Sequence, residues 1–307
     1  MSFPLVILAA GLSSRYGHLK QTDPLGPSGE SIMAYNMYDA ARAGFDRFII
    51  VTRPEIETQI KEHIFAIIGN SFPVDYVCQV LDNIPIPSAL SPDRNRPWGT
   101  GHAVLCASPH MEGSFAIANA DDLYGTEAFR GLFEGMCNCP QNPVLVTYKL
   151  EQTLSEYGGV NRGVCALDEA GLLVEISEYG DVHQVGSGIT GKAPNGDVAN
   201  LRKESPVSMN LWGLTKRCLD HMEDMFTGFL RENQGDVSRE FFLPDAMGAQ
   251  INTGLVEVNV VETEGEWLGV TFPSDREQAV RLLGRKIDKG YYSKSLAADF
   301  ANLVARE

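Results

Sequence analysis

Apolar residues fall in short continuous runs through the first half of the chain: "LVIL" (5–8), "RFIIVT" (47–52), "VDYVCQV" (74–80), "FAIAN" (115–119) and "PVLVTYK" (143–149). Runs of this length without polar alternation predict strands buried on both faces. Helical patterns separate them. "SIMAYNMYDAARAGF" opens on Ser31, a candidate N-cap, and "RPEIETQIKEHIFAIIGN" has Pro54 near its start and ends in Gly69 and Asn70. Strand and helix in alternation imply a parallel sheet with crossover helices, where ligands gather at the carboxyl ends of the strands.

The pattern changes after residue 150. "YGGVNRGVCALDEAGLLVEISEYG" (157–180) reads as antiparallel strands turning near "DEAG", and the polar, Gly-rich stretch 181–205 reads as a long surface loop. "SPVSMNLWGLT" returns to strand, followed by helices near 216–231 and 236–248, a strand at 255–261 and a helix from about 274. No repeat of 20 to 50 residues is visible. The expectation is therefore one domain over 1–307. Its fold class is α/β, a Rossmann-like mixed, mostly parallel sheet flanked by helices, with a small antiparallel subregion and a helical C-terminal segment.

Composition narrows the partners. A formal charge of −15, from 40 acidic against 25 basic residues, disfavours a nucleic-acid polymer but leaves room for a small phosphorylated ligand held by a few local cations. The six cysteines show no CxxC spacing, so reduced thiols are expected rather than a structural zinc. No positive charge precedes the apolar opening and no apolar span of about 20 residues follows. A cytoplasmic protein, neither secreted nor in a membrane, is the expectation.

Two stretches carry candidate chemistry. In "LAAGLSSRYGHLKQ", Gly11 with Ser13 and Ser14 permits close backbone approach to an anion, and Arg15 and Lys20 supply charge. The spacing is neither a Walker A loop nor GxGxxG. The other reading is a strand–turn with two solvated cations. In "IANADDLYG" (117–125), carboxylates at the end of a buried strand suit Mg²⁺, although a DD pair can equally cap a helix or face water. Alternation along the strand sends Asp121 and Asp122 to opposite sides. His102 reads as a helix-start residue first and a ligand contact second.

"LAAGLSSRYGHLKQ" resembles the signature loop of the sugar-1-phosphate nucleotidyltransferases, and "WGTGHAV" (98–104) resembles the nucleotide-reading segment of the N-acetylglucosamine-1-phosphate uridylyltransferases among them. "ADD", "YGGV", Glu178, "SMNLWGL" and "REFFLPDAM" (239–247) extend the resemblance, in order, over roughly residues 5–275. It implies an enzyme that joins a nucleoside triphosphate, UTP first, to a sugar 1-phosphate and releases pyrophosphate. It also implies residue roles. Ala10 and Gly11 would wrap the nucleotide, Arg15 would hold the departing phosphates, and Lys20 would sit against the α-phosphate and sugar phosphate. Gln79, Gly99 and Thr100 would read a pyrimidine edge, Asp121 would bind Mg²⁺, and Gly159, Glu178 and Asn210 would hold the sugar.

Three features depart from that family's pattern. "LDNIPIPSALSPDRNRP" separates Gln79 from Gly99, Tyr179 follows Glu178 where many relatives place Lys, and Gly269 and Thr271 stand where relatives offer a second metal ligand. Lys203 is a candidate substitute cation for the sugar phosphate. A phosphocholine cytidylyltransferase, with an aromatic and acidic acceptor pocket, is the enzymatic alternative. A non-catalytic nucleotide-sugar sensor is the alternative of another class, against which the joint presence of Arg15, Lys20 and Asp121 argues.

Overall fold

The aliphatic runs near residues 5, 48, 75 and 116 form the parallel half of a large sheet, described by a computed structural model over residues 3–11, 19–155, 158–270 and 275–305. In chain order the elements are β1 (Pro4–Leu8), α1 (Ile32–Ala43), β2 (Arg47–Thr52), α2 (Glu57–Ile68), β3 (Val74–Cys78), α3 (Thr100–Cys106), β4 (Phe115–Asn119), β5 (Asp122–Leu123), α4 (Thr126–Asn138) and β6 (Val144–Lys149). They continue with β7 (Val160–Leu167), β8 (Leu172–Val185), β9 (Gly188–Lys192), β10 (Val198–Leu201), β11 (Pro206–Leu214), α5 (Lys216–Glu232), α6 (Leu243–Asn252), β12 (Val258–Glu262), β13 (Leu268–Gly269), α7 (Asp275–Asp288) and α8 (Leu296–Val304). Ser31 caps α1 as its sequence predicts, its side chain accepting from the Ala34 N–H.

Among the described residues the main sheet has eleven strands, in the order β10-β9-β8-β12-β6-β11-β4-β1-β2-β3, with β7 paired to β11 and β8. The pairings β1–β2, β1–β4, β2–β3 and β6–β12 are parallel, and the other seven are antiparallel. The sheet is thus mixed but not mostly parallel, which corrects the expectation. Two causes are evident. β11 runs backwards between β4 and β6, and β7 to β10 are joined by short turns, which allow only antiparallel pairing.

The stretch 181–205 is the clearest departure. It is not a surface loop but the end of β8, then β9 and β10, with Gly186 (φ 60°) and Gly196 (φ 90°) in the two turns. A second correction concerns 236–248, where the helix begins only at Leu243. Upstream, the Asp236 carboxylate holds a turn by accepting from the Ser238 and Arg239 N–H groups.

Alternation assigns the core to two layers. Leu5, Ile7, Phe48 and Ile50 face α1, α2 and α4, while Val6, Ile49 and Val51 face α3, α5 and α6. The C-terminal helices belong to the first layer, where Tyr292 and Phe300 pack on Tyr38. No helix among the described residues is long and apolar enough to cross a membrane.

One buried charge in this layer gives a measurable pH dependence. Asp39 is fully buried in α1, accepts hydrogen bonds from Thr126 (2.6 Å) and Tyr292 (2.8 Å), and burial pushes its carboxyl up to about 6. The folded state therefore holds a proton that the unfolded chain releases near pH 4. Stability is retained below that pH and lost as pH rises to about 6. Asp39→Asn removes this loss, so the variant should gain about 1–3 kcal/mol on wild type between pH 4 and pH 7.5. Denaturant midpoints at the two pH values check it, and a constant difference between the two proteins refutes it.

Candidate active site

Strands β4, β1, β2 and β3 run parallel in that order, and the chain leaving the carboxyl ends of β4, β1 and β3 carries candidate residues. After β1 the chain runs on through Ala9, whose N–H donates to Val51 O at 2.7 Å, to Ala10 and Gly11. Gln21 braces this segment, its Nε2 donating to the carbonyls of Ala9 (3.1 Å) and Gly11 (3.2 Å). Ser13, Ser14 and Arg15 lie outside the described residues. Lys20 opens a short 3-10 turn, and its Nζ meets Asp121 Oδ2 at 2.6 Å. Two residues expected to share one reaction, 101 positions apart in sequence, are thereby joined. The lysine side chain is 11% exposed and the aspartate 41%, so the pair sits at a mouth open to solvent on the acid's side.

Asp121 and Asp122 point differently, as alternation requires. Backbone at this step is pinned by Val270 N–H to Asp121 O (3.1 Å) and by Asn36, whose Nδ2 donates to Asp122 O (2.6 Å) and whose Oδ1 accepts from Tyr124 N (3.3 Å). The Asp122 carboxylate accepts from Asn119 Nδ2 at 2.8 Å and turns into a cavity of about 180 Å³. Burial, then the charge of Asp121, pushes it up to about 7. It caps no helix, since α4 starts from Gly125 without a side-chain cap.

Polar side chains dominate that cavity. Asn119, Asp122, Asn161, Glu178, Ser208 and Asn210 line it, with Ile176, Met209 and Pro244 as its apolar part and no aromatic ring among the described residues. Glu178 is raised by burial, partly offset by Arg162, which burial in turn lowers to about 10. Arg162 is held over the Trp267 ring at 4.9 Å, with its Nε donating to Thr153 O at 3.0 Å. Asn210 reaches the cavity through backbone irregularity. Pairing of β11 with β6 slips between Ser208 and Trp212, and inside that slip Asn210 adopts φ 62°. A bulge with a left-handed asparagine re-aims a side chain at some cost in strain. Its Nδ2 donates to Asn119 Oδ1 (2.8 Å), and its Oδ1 accepts from Trp212 Nε1 (3.2 Å).

Other expected residues stand apart from the cavity. Gly159 does not line it; a Cβ there would collide with Asp181 Oδ1 and come within 3.0 Å of the Asp181 Cα, so this glycine serves a close backbone approach. Lys203 is absent from the lining too, and its carbonyl accepts from Glu151 N at 3.1 Å. Gly269 pairs with Asp122 across β13 and β5 and offers no ligand atom from a side chain, while Thr271 lies outside the described residues.

The residues expected to read the nucleotide form their own cluster. Gln79, 8% exposed, follows β3 and donates through Nε2 to Gly99 O at 2.9 Å. Gly99, at φ 99°, precedes α3, and a Cβ there would lie 2.6 Å from Phe241 O. Thr100 Oγ1 accepts from Leu243 N at 3.0 Å, which leaves its hydroxyl proton as a donor. The stretch between Gln79 and Gly99 folds against this cluster. Arg94 stacks on Trp98 at 3.6 Å and donates to the carbonyls of Pro97, Asp236 and Arg239.

Asn119, Asn161, Asp122 and Arg162 were not singled out from sequence as site residues. Asp122 was visible as one of the DD pair, and Asn161 and Arg162 adjoin "YGGV". What sequence lacked was the pairing of β7 with both β8 and β11, which brings Asn161 to the cavity of Asn119 and Asp122 and sets Arg162 within electrostatic reach of Asp122 and Glu178.

Comparisons with known proteins bear on this geometry. No family model matches the chain. Its sequence is 28% identical over 165 residues to the bifunctional protein GlmU of Corynebacterium diphtheriae, covering 52% of this chain and 31% of that protein. The chain thus spans about a third of that curated relative. The inositol-1-phosphate CTP transferase from T. maritima superposes with a TM-score of 0.62 at 14% identity, over 92% of this chain and 96% of that one. Similarity thus extends over half of the chain in sequence, to GlmU, and over nearly all of it in fold, to the inositol-1-phosphate CTP transferase.

Proposed function

We propose that the chain is a nucleotidyltransferase that joins a nucleoside triphosphate to the phosphate of a sugar 1-phosphate and releases pyrophosphate. The observation that carries the reading is the Lys20–Asp121 pair, 2.6 Å apart at the carboxyl ends of β1 and β4, beside a small cavity lined with amides and carboxylates. A cavity of about 180 Å³ with several hydrogen-bonding groups suits one polyhydroxylated ring, because each hydroxyl both donates and accepts. Phosphocholine is disfavoured, since its quaternary ammonium calls for aromatic faces and the described residues that line the cavity include none.

The chemistry follows from charge. The attacking phosphate oxygen is already anionic, so no general base is needed. What obstructs the reaction is repulsion between phosphates. Lys20 supplies a nearly buried cation where that repulsion is greatest, and the braced Ala9–Gly11 backbone allows close approach of the nucleotide. Arg15 would add a second cation toward the leaving pyrophosphate. Asn119, Glu178 and Asn210 would fix the ring so that its phosphate faces the α-phosphorus in line.

Mg²⁺ fits this donor set as an ion that arrives with the nucleotide. Asp121 offers one hard carboxylate at the mouth, and no cluster of three or more His, Cys, Asp or Glu able to hold a metal occurs among the described residues. Magnesium commonly takes one or two carboxylates and fills its shell with water and phosphate oxygens. When bound it would supply neutralisation of the phosphates.

UTP is the proposed nucleotide, and the experiment is pyrophosphate release measured over four nucleoside triphosphates and a panel of acceptors. The panel contains hexose 1-phosphates, N-acetylhexosamine 1-phosphates, inositol 1-phosphate and phosphocholine. UTP with a hexose or N-acetylhexosamine 1-phosphate should give the highest kcat/KM, and purines should trail by tenfold or more, given about 1–3 kcal/mol for an unmatched buried polar partner. A purine triphosphate as best substrate would end the uracil assignment, and no release with any combination would end the enzymatic one.

A further inference from the structure

We propose that His102 is a positioning residue for base selection, holding the Gln79 carboxamide so that only its carbonyl oxygen is presented to the nucleotide base. The inference rests on the reading above that Gln79 faces the base.

The argument starts from two carbonyls whose roles admit no choice. Gly99 O lies 2.9 Å from one end of the Gln79 amide, and a carbonyl only accepts, so that end is the NH₂ group. Asn83 O lies 2.9 Å from His102 Nε2, so Nε2 carries a proton. Burial lowers the His102 pKa and keeps the ring neutral, which leaves Nδ1 without a proton. That bare Nδ1 is 3.1 Å from the same Gln79 Nε2. Each assignment supports the next, and the carboxamide orientation is fixed by two acceptors at its NH₂ end.

Both amide protons of Gln79 are thereby committed, one to Gly99 O and one to His102 Nδ1. The remaining capacity of the group is acceptance at Oε1. An acceptor matches uracil N3–H and mismatches the bare N3 of cytosine. Without His102, one amide proton is uncommitted and Gly99 O alone holds the NH₂ end, so the carboxamide is less firmly held and the distinction weakens.

The ring itself is well fixed. It is 1% exposed and stacks on Phe226 with centroids 5.0 Å apart. Asn83 belongs to the long stretch between Gln79 and Gly99, which is anchored by Trp98 Nε1 to Leu81 O (2.9 Å) and by the Arg94 contacts. The segment that departs from the family pattern thus completes the base reader rather than displacing it.

Two substitutions separate the ring's two nitrogens. His102→Asn keeps an acceptor near the Nδ1 position, whereas His102→Gln reaches Asn83 O with an amide donor and has no acceptor at the Nδ1 position. Equilibrium binding of UTP and CTP by titration calorimetry gives the selectivity of each, alongside thermal unfolding. The Asn variant should keep the wild-type UTP:CTP ratio and the Gln variant should lose about tenfold of it, with similar unfolding temperatures. A merely structural histidine would move the unfolding temperature and leave both ratios alone. Equal ratios in the two folded variants overturn the proposal. Wild-type protein that binds a pyrimidine nucleotide but releases no pyrophosphate would overturn the reaction and leave this comparison standing; failure to bind either nucleotide would overturn both.

Discussion

Lys20→Ala is expected to lower turnover at least about a hundredfold with the fold intact. The Lys20 ammonium is 11% exposed and 2.6 Å from Asp121, a position in which a cation faces little competing water. Removing it leaves the charge that accumulates on the transferring phosphate without its nearest protein counterion, a loss of about 3 kcal/mol or more in the transition state. The cost to folding should be small, because the partner left behind is 41% exposed and can be hydrated. Arg15→Ala belongs with it on charge alone. Steady-state pyrophosphate release and thermal unfolding, measured together, decide the matter. If Lys20 only made a structural ion pair, the unfolding temperature would fall and turnover would survive.

Much of the scaffold was legible because it obeys one rule at a time. Strands β1, β2, β4 and β6 are aliphatic runs buried on both faces, whereas β3, "VDYVC" at the sheet edge, is only half-buried along its length, which corrects the expectation for that run. The 181–205 stretch obeys a weaker rule. Its buried side chains are few, Val182 and Ile189 among them, and Gly191 sits where a Cβ would come within 2.9 Å of Val182. Glycine there means close packing between strands, yet in sequence it reads as loop. One signal was available, since Asn195-Gly196 between two short runs is a hairpin turn. The antiparallel β11 was read correctly as a strand, but its direction depends on which neighbours it enters between, and no local pattern encodes that.

The site divides along the same line. Lys20, Asp121 and Gln79 stand out in the sequence because each follows a predicted strand, and Asn210 because it lies within "SMNLWGL". Arg162 and Asn161 could not be assigned, because their place depends on β7 crossing from β8 to β11. His102 was visible in "GTGHAV", but its partner Asn83 comes from a segment with no recognisable pattern. Long-range pairing, rather than residue type, is the information the sequence withheld.

Asp122→Asn should separate acceptor binding from chemistry. Its carboxylate faces the 180 Å³ cavity and accepts from Asn119, while the neighbouring Asp121 faces Lys20. An asparagine keeps the size and keeps an oxygen for Asn119, so the β5 segment, pinned through backbone by Asn36 and by the β13 pairing, should hold its shape. What changes is the acceptor's surroundings. One oxygen that could take two hydroxyl donors becomes an amide that offers donors instead, a mismatch costing about 1–3 kcal/mol for a hydroxylated ring. The acceptor KM should therefore rise about tenfold or more, while kcat at saturating acceptor changes little, the signature of binding lost equally in ground and transition states. Asp121→Asn should behave in the opposite way, nearly abolishing kcat through the lost carboxylate at the phosphates. Initial-rate kinetics over acceptor concentration, with Mg²⁺ and the nucleotide held saturating, distinguish the two. An active Asp121→Asn enzyme beside an inactive Asp122→Asn enzyme would exchange the two assignments and place the phosphates on the cavity side of the strand.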